Sequence, residues 1–197
     1  MADTTQTIQS FYQIATERDF ARKFSFRLLN VDPGDASNVS FDENDLVYIR
    51  TAQLPAREIT EVTVPYMGLD FHIPGTVKYP GSEAYSLEFY CDSNSKIRQK
   101  FEDWSRDVFD DITSTGNYFS PKQTSTIDMV QLDNQLNRVA QYQLVGVSPR
   151  SVGPLEYDTT NGGDFVTFTA TIAYHYFRRT FQNGGTTPPV NARFSNP

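Results

Sequence analysis

Apolar and polar residues alternate along this chain in short bursts, and in only two places do they recur at helical spacing. Ile8, Phe11, Tyr12 and Ala15 predict a short amphipathic helix over residues 5–18. Phe24, Phe26 and Leu28 then alternate with Ser25 and Arg27, which reads as a strand. A second strand covers 46–51 and is closed by Leu54-Pro55, and a third covers 59–65, rich in β-branched residues. Phe71, Ile73 and Val77 mark a fourth strand, with residues 67–70 as the turn before it. Pro74-Gly75 interrupts it, as expected of an edge strand, a bulge or a hairpin tip. Tyr85, Leu87, Phe89 and Cys91 alternate with Ser86, Glu88, Tyr90 and Asp92, giving a strand with one apolar and one wet face. Residues 126–132 and 138–147 read as two more strands around an Asp133-Asn134 turn. The clearest alternation sets Val166, Phe168, Ala170, Ile172, Tyr174 and Tyr176 against Thr167, Thr169, Thr171, Ala173 and His175.

The dominant helix is carried by Ile97, Phe101, Trp104, Val108 and Ile112, which step by four, three, four and four onto one stripe. Ser93 or Ser95 is available to cap it, and Gly116-Asn117 is expected to end it. Residues 30–45, with Pro33-Gly34 and five acids, read as a surface loop. Residues 149–161 read as an irregular connection. From Phe181 onward, Gly184-Gly185 and Pro188-Pro189 predict an extended tail. The expected fold is mainly β: an antiparallel barrel or sandwich of about eight strands with one flanking α-helix. The expected organisation is an arm with a short helix over 1–20, a β domain over 21–180, and a C-terminal tail over 181–197.

Charge and chemistry narrow the function. The chain of 197 residues carries 17 Lys and Arg against 24 Asp and Glu, for a formal charge of −7. This argues against docking on nucleic acid from outside, which calls for clustered cations. One cysteine and two histidines exclude an intrachain disulfide and a Cys/His zinc site within one chain. No apolar run approaches the ~20 residues of a membrane span, and residues 1–10 lack a cationic start and a hydrophobic stretch. A soluble protein of a reducing compartment, a cytoplasm, is the expectation. There is no phosphate-binding Gly-rich loop ending in Lys-Ser or Lys-Thr, and no G-x-S-x-G elbow. His72 and His175 stand in no suggestive context and read as structural. Asp42-Glu43-Asn44-Asp45 lacks the Gly and distal Glu of a calcium loop and reads as a solvated acidic loop. Asp110-Asp111 diverge on adjacent helical positions, and Cys91 reads as a buried, inert thiol. The expectation is therefore a non-enzyme with no cofactor or metal.

The wet strand faces hold Ser, Thr, Gln and Glu rather than Lys or Arg. Ser86, Glu88, Thr167, Thr169 and Thr171 lie opposite clear core positions. Such a face borders water, or a water-filled channel where copies close into a ring. Aromatics, at 14%, supply either the core or seals between copies.

The order of motifs carries a resemblance. Residues 51–56 (Thr-Ala-Gln-Leu-Pro-Ala) are followed by Val64-Pro65-Tyr66-Met67-Gly68 and Phe71-His72-Ile73-Pro74-Gly75. Next come the helix from Arg98 to Trp104, the segment Leu144-Val145-Gly146-Val147-Ser148-Pro149, and the Thr-alternating strand ending Ala173-Tyr174-His175-Tyr176. From about Asp19 to Tyr176 the chain resembles the tail tube proteins of T-even-type contractile-tailed bacteriophages, whose fold is shared with the tubes of type VI secretion and contractile injection systems. The resemblance implies a structural virion protein that forms hexameric rings stacked into the inner tube of a contractile tail, assembled in the host bacterial cytoplasm. Its inner sheets would join around a lumen through which genome DNA passes as transient cargo. It implies as partners further copies of itself, a tail sheath protein, a tape-measure protein, and baseplate and tail-terminator proteins, with no membrane anchor. On this reading Ser86, Glu88, Thr167, Thr169 and Thr171 face the lumen. Tyr66, Met67, Gly68, Pro74 and Gly75 belong to a loop between rings, and the helix stripe buttresses the sheet. The alternatives are a baseplate protein of the same fold that initiates the tube, a soluble β-sandwich binding module, and an enzyme with dispersed residues.

Overall fold

The computed structural model describes residues 7–17, 20–117, 124–160 and 162–182. They form ten antiparallel strands and three α-helices: α1 (Ile8–Glu17), β1 (Phe26–Asp32), α2 (Glu43–Leu46), β2 (Ile49–Thr51), β3 (Glu58–Tyr66), β4 (Leu69–Lys78), β5 (Tyr85–Tyr90), α3 (Lys96–Val108), β6 (Thr126–Leu132), β7 (Arg138–Val145), β8 (Ser148–Val152), β9 (Thr167–Ala173) and β10 (Tyr176–Gln182). Two four-stranded sheets, ordered β1-β6-β7-β10 and β2-β5-β9-β8, face each other as a sandwich. β3 and β4 stand apart as a two-stranded ribbon.

Period-two alternation builds the core. Leu28, Ile127, Met129 and Leu144 from the first sheet meet Tyr85, Leu87, Phe89, Phe168, Ala170 and Ile172 from the second. Helix α3 closes this core with Ile97, Phe101 and Trp104, each at most 2% exposed. The Phe101 ring centroid lies 5.4 Å from that of Phe89 and 4.9 Å from that of Phe41. Burial of each such side chain is worth about 1.5–3 kcal/mol. Val108 is half-buried against the same cluster.

The helical stripe is shorter than its spacing suggests. α3 ends at Val108, and Ile112 is 93% exposed, so Ile112 is no part of the buttress. Asp110 is the cause: its carboxylate accepts from the Ile112 backbone N–H at 2.9 Å and from the Thr113 hydroxyl at 2.8 Å, and its backbone bridges to Thr115. A side chain that captures nearby backbone donors offers the chain an alternative to helix. At the other end Ser95 occupies the cap position in a left-handed conformation and makes no side-chain cap bond. The Asp92 carboxylate accepts from the Lys96 N–H at 2.8 Å instead. Cys91 is half-buried, with its Sγ 3.3 Å from the Ser95 Oγ, rather than fully enclosed.

Residues 30–45 are more structured than a surface loop. β1 runs on to Asp32, a 3₁₀ turn covers Gly34–Ala36, and Val31, Ala36 and Leu46 are buried. The acidic run forms α2, where Asp45 accepts from the Asp42 N–H at 2.9 Å and from the Lys100 ammonium of α3 at 2.5 Å. Residues 149–161 begin with β8, which pairs with β9. The long alternation over 166–176 is two strands. The chain crosses from the second sheet to the first at Tyr174-His175, where the Tyr174 N–H donates to Ser82 and the His175 N–H to Val145. The corner shifts the inside–outside parity: Tyr174 is in the core before it, and after it Phe177, opposite Leu144, packs on the core in place of Tyr176. β10 extends through Phe181 to Gln182. The expected tail beyond it, with Gly184-Gly185 and Pro188-Pro189, lies outside the described residues, as do residues 1–6, 18 and 19 of the expected arm.

Candidate functional site: a polar sheet face and a protruding hairpin

Because Tyr85, Leu87 and Phe89 point inward, the even-numbered residues of β5 face out, and in β9, where Phe168, Ala170 and Ile172 point inward, the odd-numbered residues do. Their register sets Ser86 opposite Thr171, Glu88 opposite Thr169 and Tyr90 opposite Thr167. The five polar positions singled out from the alternation thus lie in one patch on the outer face of the second sheet. Ser151 of β8 extends it opposite Thr171. β2 adds two residues that alternation did not reveal, since a strand of three residues shows no period. Arg50 Nη1 lies 2.8 Å from Glu88 Oε1, and the Thr51 hydroxyl donates to Glu88 Oε2 at 3.0 Å. The Arg50 guanidinium also stands 5.7 Å from the Tyr90 ring centroid. Glu88 is therefore neutralised in place, and the patch presents hydroxyls around one internal ion pair. The sheet that carries it ends in two short edge strands, β2 and β8.

The β3–β4 ribbon projects from the β2–β5 connection. All its residues are exposed except Thr60, which is half-buried. Val62 pairs with Ile73, Val64 with Phe71, and Tyr66 with Leu69, giving one apolar face. The other face holds Thr63 opposite His72 and Pro65 opposite Asp70, and the His72 ring contacts the Glu61 carboxylate. The turn is Met67-Gly68, with φ of +50° and +83°. Two positive φ values in a two-residue loop match the twist of a hairpin and suit Gly at the second position. Tyr66, Met67 and Gly68 are thus at the tip. Pro74 and Gly75 are not: they sit further down β4, at an irregularity in register opposite Thr60. There the Thr60 hydroxyl accepts from the Thr76 N–H at 2.8 Å, and a Cβ on Gly75 would come within 3.0 Å of the Thr60 carbonyl.

Two further surfaces are left uncovered among the described residues. α1 buries none of its residues, although Phe11 packs on Phe20 with ring centroids 6.1 Å apart. An open groove of about 950 Å³ separates the free edges of β1 and β2, lined by Phe24, Leu28, Leu46, Val47 and Ile49 together with Lys23 and Arg27. Among the described residues no cluster of three or more His, Cys, Asp or Glu side chains could hold a metal ion. No helix there is long and apolar enough to cross a membrane.

Three comparisons place this architecture. No curated protein matches the chain. Among solved structures, it is similar to a chain in the cryo-EM structure of the anti-feeding prophage cap, the tube-terminating cap, at 10% identity and a TM-score of 0.56, covering 91% of this chain and 98% of that one. It is similar to a chain of the anti-feeding prophage baseplate at 12% identity and a TM-score of 0.54, covering 82% and 95%. It is also similar to a chain of the sheath–tube complex of an extracellular contractile injection system in the extended state, at 14% identity and a TM-score of 0.50, covering 85% and 95%. At such identities these likenesses establish a shared fold. The sequence family described as phage tail tube protein matches residues 15–180. That match spans β1 to β9, the ribbon and most of β10, and the chain belongs to the phage tail tube protein family.

Proposed function

We propose that copies of this protein join edge to edge into six-membered rings, and that the rings stack into the inner tube of a contractile tail. The outer face of the second sheet lines the bore. The observation that carries this reading is the coincidence of Ser86, Glu88, Thr167, Thr169 and Thr171 on one sheet face, with charge cancelled by Arg50, between two short free edges. Free edges are a hazard in a monomer and are resolved when neighbours pair with them. A wall of hydroxyls offers DNA no array of cations and so releases no counterions on contact. A polyanion passes along it without being held, which suits a conduit for genome DNA during ejection. The residues over 21–180 form the tube-building body, with 1–20 as an arm and 181–197 as a tail.

The ribbon, with Tyr66, Met67 and Gly68 at its tip, reaches the next ring. Pro74 and Gly75 set its bend rather than its contact. The solved structures of similar fold come from a cap, a baseplate and a sheath–tube complex. This supports sheath, baseplate and terminator proteins as partners, with a tape-measure protein occupying the bore before DNA. The structure-building role of the family supports a non-enzymatic function.

The test is removal of the tip. Replacement of residues 65–70 by a two-residue Asn-Gly turn shortens the ribbon without touching the sandwich. Circular dichroism and thermal melting are expected to match the parent, while negative-stain images show rings or monomers in place of tubes. Tubes of undiminished length from the shortened chain would contradict this assignment.

A further inference from the structure

The polar face of the second sheet owes its low charge to cancellation as well as to its hydroxyls. Only three charged residues stand on the four strands of that sheet: Arg50, Glu88 and Arg150. Arg150 lies on the edge strand β8 and donates to the Glu83 carbonyl at 2.6 Å. Arg50 sits at the register irregularity of β2, between Ile49 and Thr51, and reaches Glu88 on β5. Both carboxylate oxygens of Glu88 are taken, Oε1 by Arg50 at 2.8 Å and Oε2 by Thr51 at 3.0 Å. The Arg50 side chain is nonetheless 46% exposed beside the Tyr90 ring, so its guanidinium borders the water that the face borders. An ion pair this exposed adds little to stability, because water screens it and two long side chains lose freedom. Its consequence is electrostatic: a cation is cancelled where it stands.

We infer that Arg50 is a latent phosphate-binding group, and that Glu88 is the residue that keeps it from taking hold of DNA. A guanidinium offers N–H donors in a planar fork that matches phosphate oxygens two at a time. Thr169 stands opposite Glu88 and adds a hydroxyl beside the same spot. While Arg50 is paired with Glu88, the pair presents no net charge. A phosphate that approached would meet a carboxylate and would release no counterion. Loss of that carboxylate leaves one uncancelled cation per copy at this place, repeated around each ring and from ring to ring along the bore. Such an array holds a polyanion, with an affinity that falls steeply as salt rises. Glu88 thus decides whether the wall lets DNA slide or grips it.

The inference rests on the bore reading above, and one experiment separates the two. Full-length protein assembled into tubes is mixed with a short fluorescent DNA duplex, pelleted and treated with nuclease. Glu88→Gln keeps the size of the side chain and an acceptor for Thr51 while removing the charge. The duplex that pellets with the tubes and survives nuclease is expected to rise at least ~tenfold over the parent at low salt, and to be lost at high salt. Glu88→Gln combined with Arg50→Gln is expected to return it to the parent level. Arg150 is common to all these proteins, so the comparison isolates Arg50. Glu102→Gln is the control: it frees Arg98 from an ion pair on α3, off the sheet face, and is expected to leave nuclease-resistant retention unchanged. Retention by Glu88→Gln no greater than the parent's, retention that survives the loss of Arg50, an equal rise with Glu102→Gln, or a Glu88→Gln chain that forms no tubes would each overturn the masking role while leaving the assembly reading intact. Duplex that pellets but is fully digested would place Arg50 outside the tube and overturn the bore reading, and the inference with it. Parent protein that forms no tubes at any concentration would overturn both.

Discussion

Gly146 joins β7 to β8 with a φ of +71°, and a Cβ there would stand 2.3 Å from the His175 ring. Its N–H donates to the buried Ser125 carbonyl at 2.9 Å, so the loop cannot retreat to make room. Gly146→Ala is expected to lower the unfolding free energy by at least ~1–2 kcal/mol, the cost of a left-handed L-residue alone. Urea titration measures it, and an unchanged midpoint would show that the loop relaxes. Single residues were legible where a period placed them. Glu88 and the three threonines follow from alternation. Arg50, which neutralises Glu88, and Asp110, which ends the helix, do not, because their effects depend on partners distant in sequence or on a carboxylate turning back to its own backbone.

Elements with long, consistent patterns were readable, and junctions between them were not. β6 runs over the expected residues and α3 begins where the stripe begins, yet it ends at Val108, about two turns before the expected stop at Gly116-Asn117. The difference between Trp104 and Ile112 makes this measurable. Trp104→Ala removes a fully buried side chain and is expected to cost ~3–5 kcal/mol. Ile112→Ala lies outside the core and is expected to change stability by less than ~0.5 kcal/mol in a thermal or chemical melt. The acidic run also proved to be architecture. Burial pushes the Asp45 carboxyl up, but hydrogen bonds from Lys100 and the Asp42 backbone outweigh it and hold the group below the usual carboxylate range. A carboxylate with a lowered folded pKa stabilises the protein above its unfolded value, near ~4, and loses that contribution as pH falls through the folded value. Asp45→Asn is therefore expected to be less stable than the parent at pH 7. The two melting curves should converge as pH drops below ~4, and a gap that persisted in acid would place the contribution elsewhere.

At the scale of the molecule, the mainly β antiparallel class was legible because alternation dominates the chain. The division into two sheets was not: Tyr174 and Tyr176 read as one continued alternation, although past the crossover at Tyr174-His175 the core position passes to Phe177. Neither the open groove nor the isolation of the ribbon has a sequence signal: both are defined by what fails to pack beside them. In the proposed assembly, the edges and faces left uncovered among the described residues are what one copy offers its neighbours. The central claim is that the hydroxyl face of the second sheet becomes the wall of a bore. Cryo-electron microscopy of the assembled protein tests it most directly. The account predicts a six-fold tube in which β2 of one copy adjoins β8 of the next, with Ser86, Glu88 and Thr169 facing the central channel. A tube with the first sheet or α3 lining the channel, or particles that remain single sandwiches at all concentrations, would contradict it.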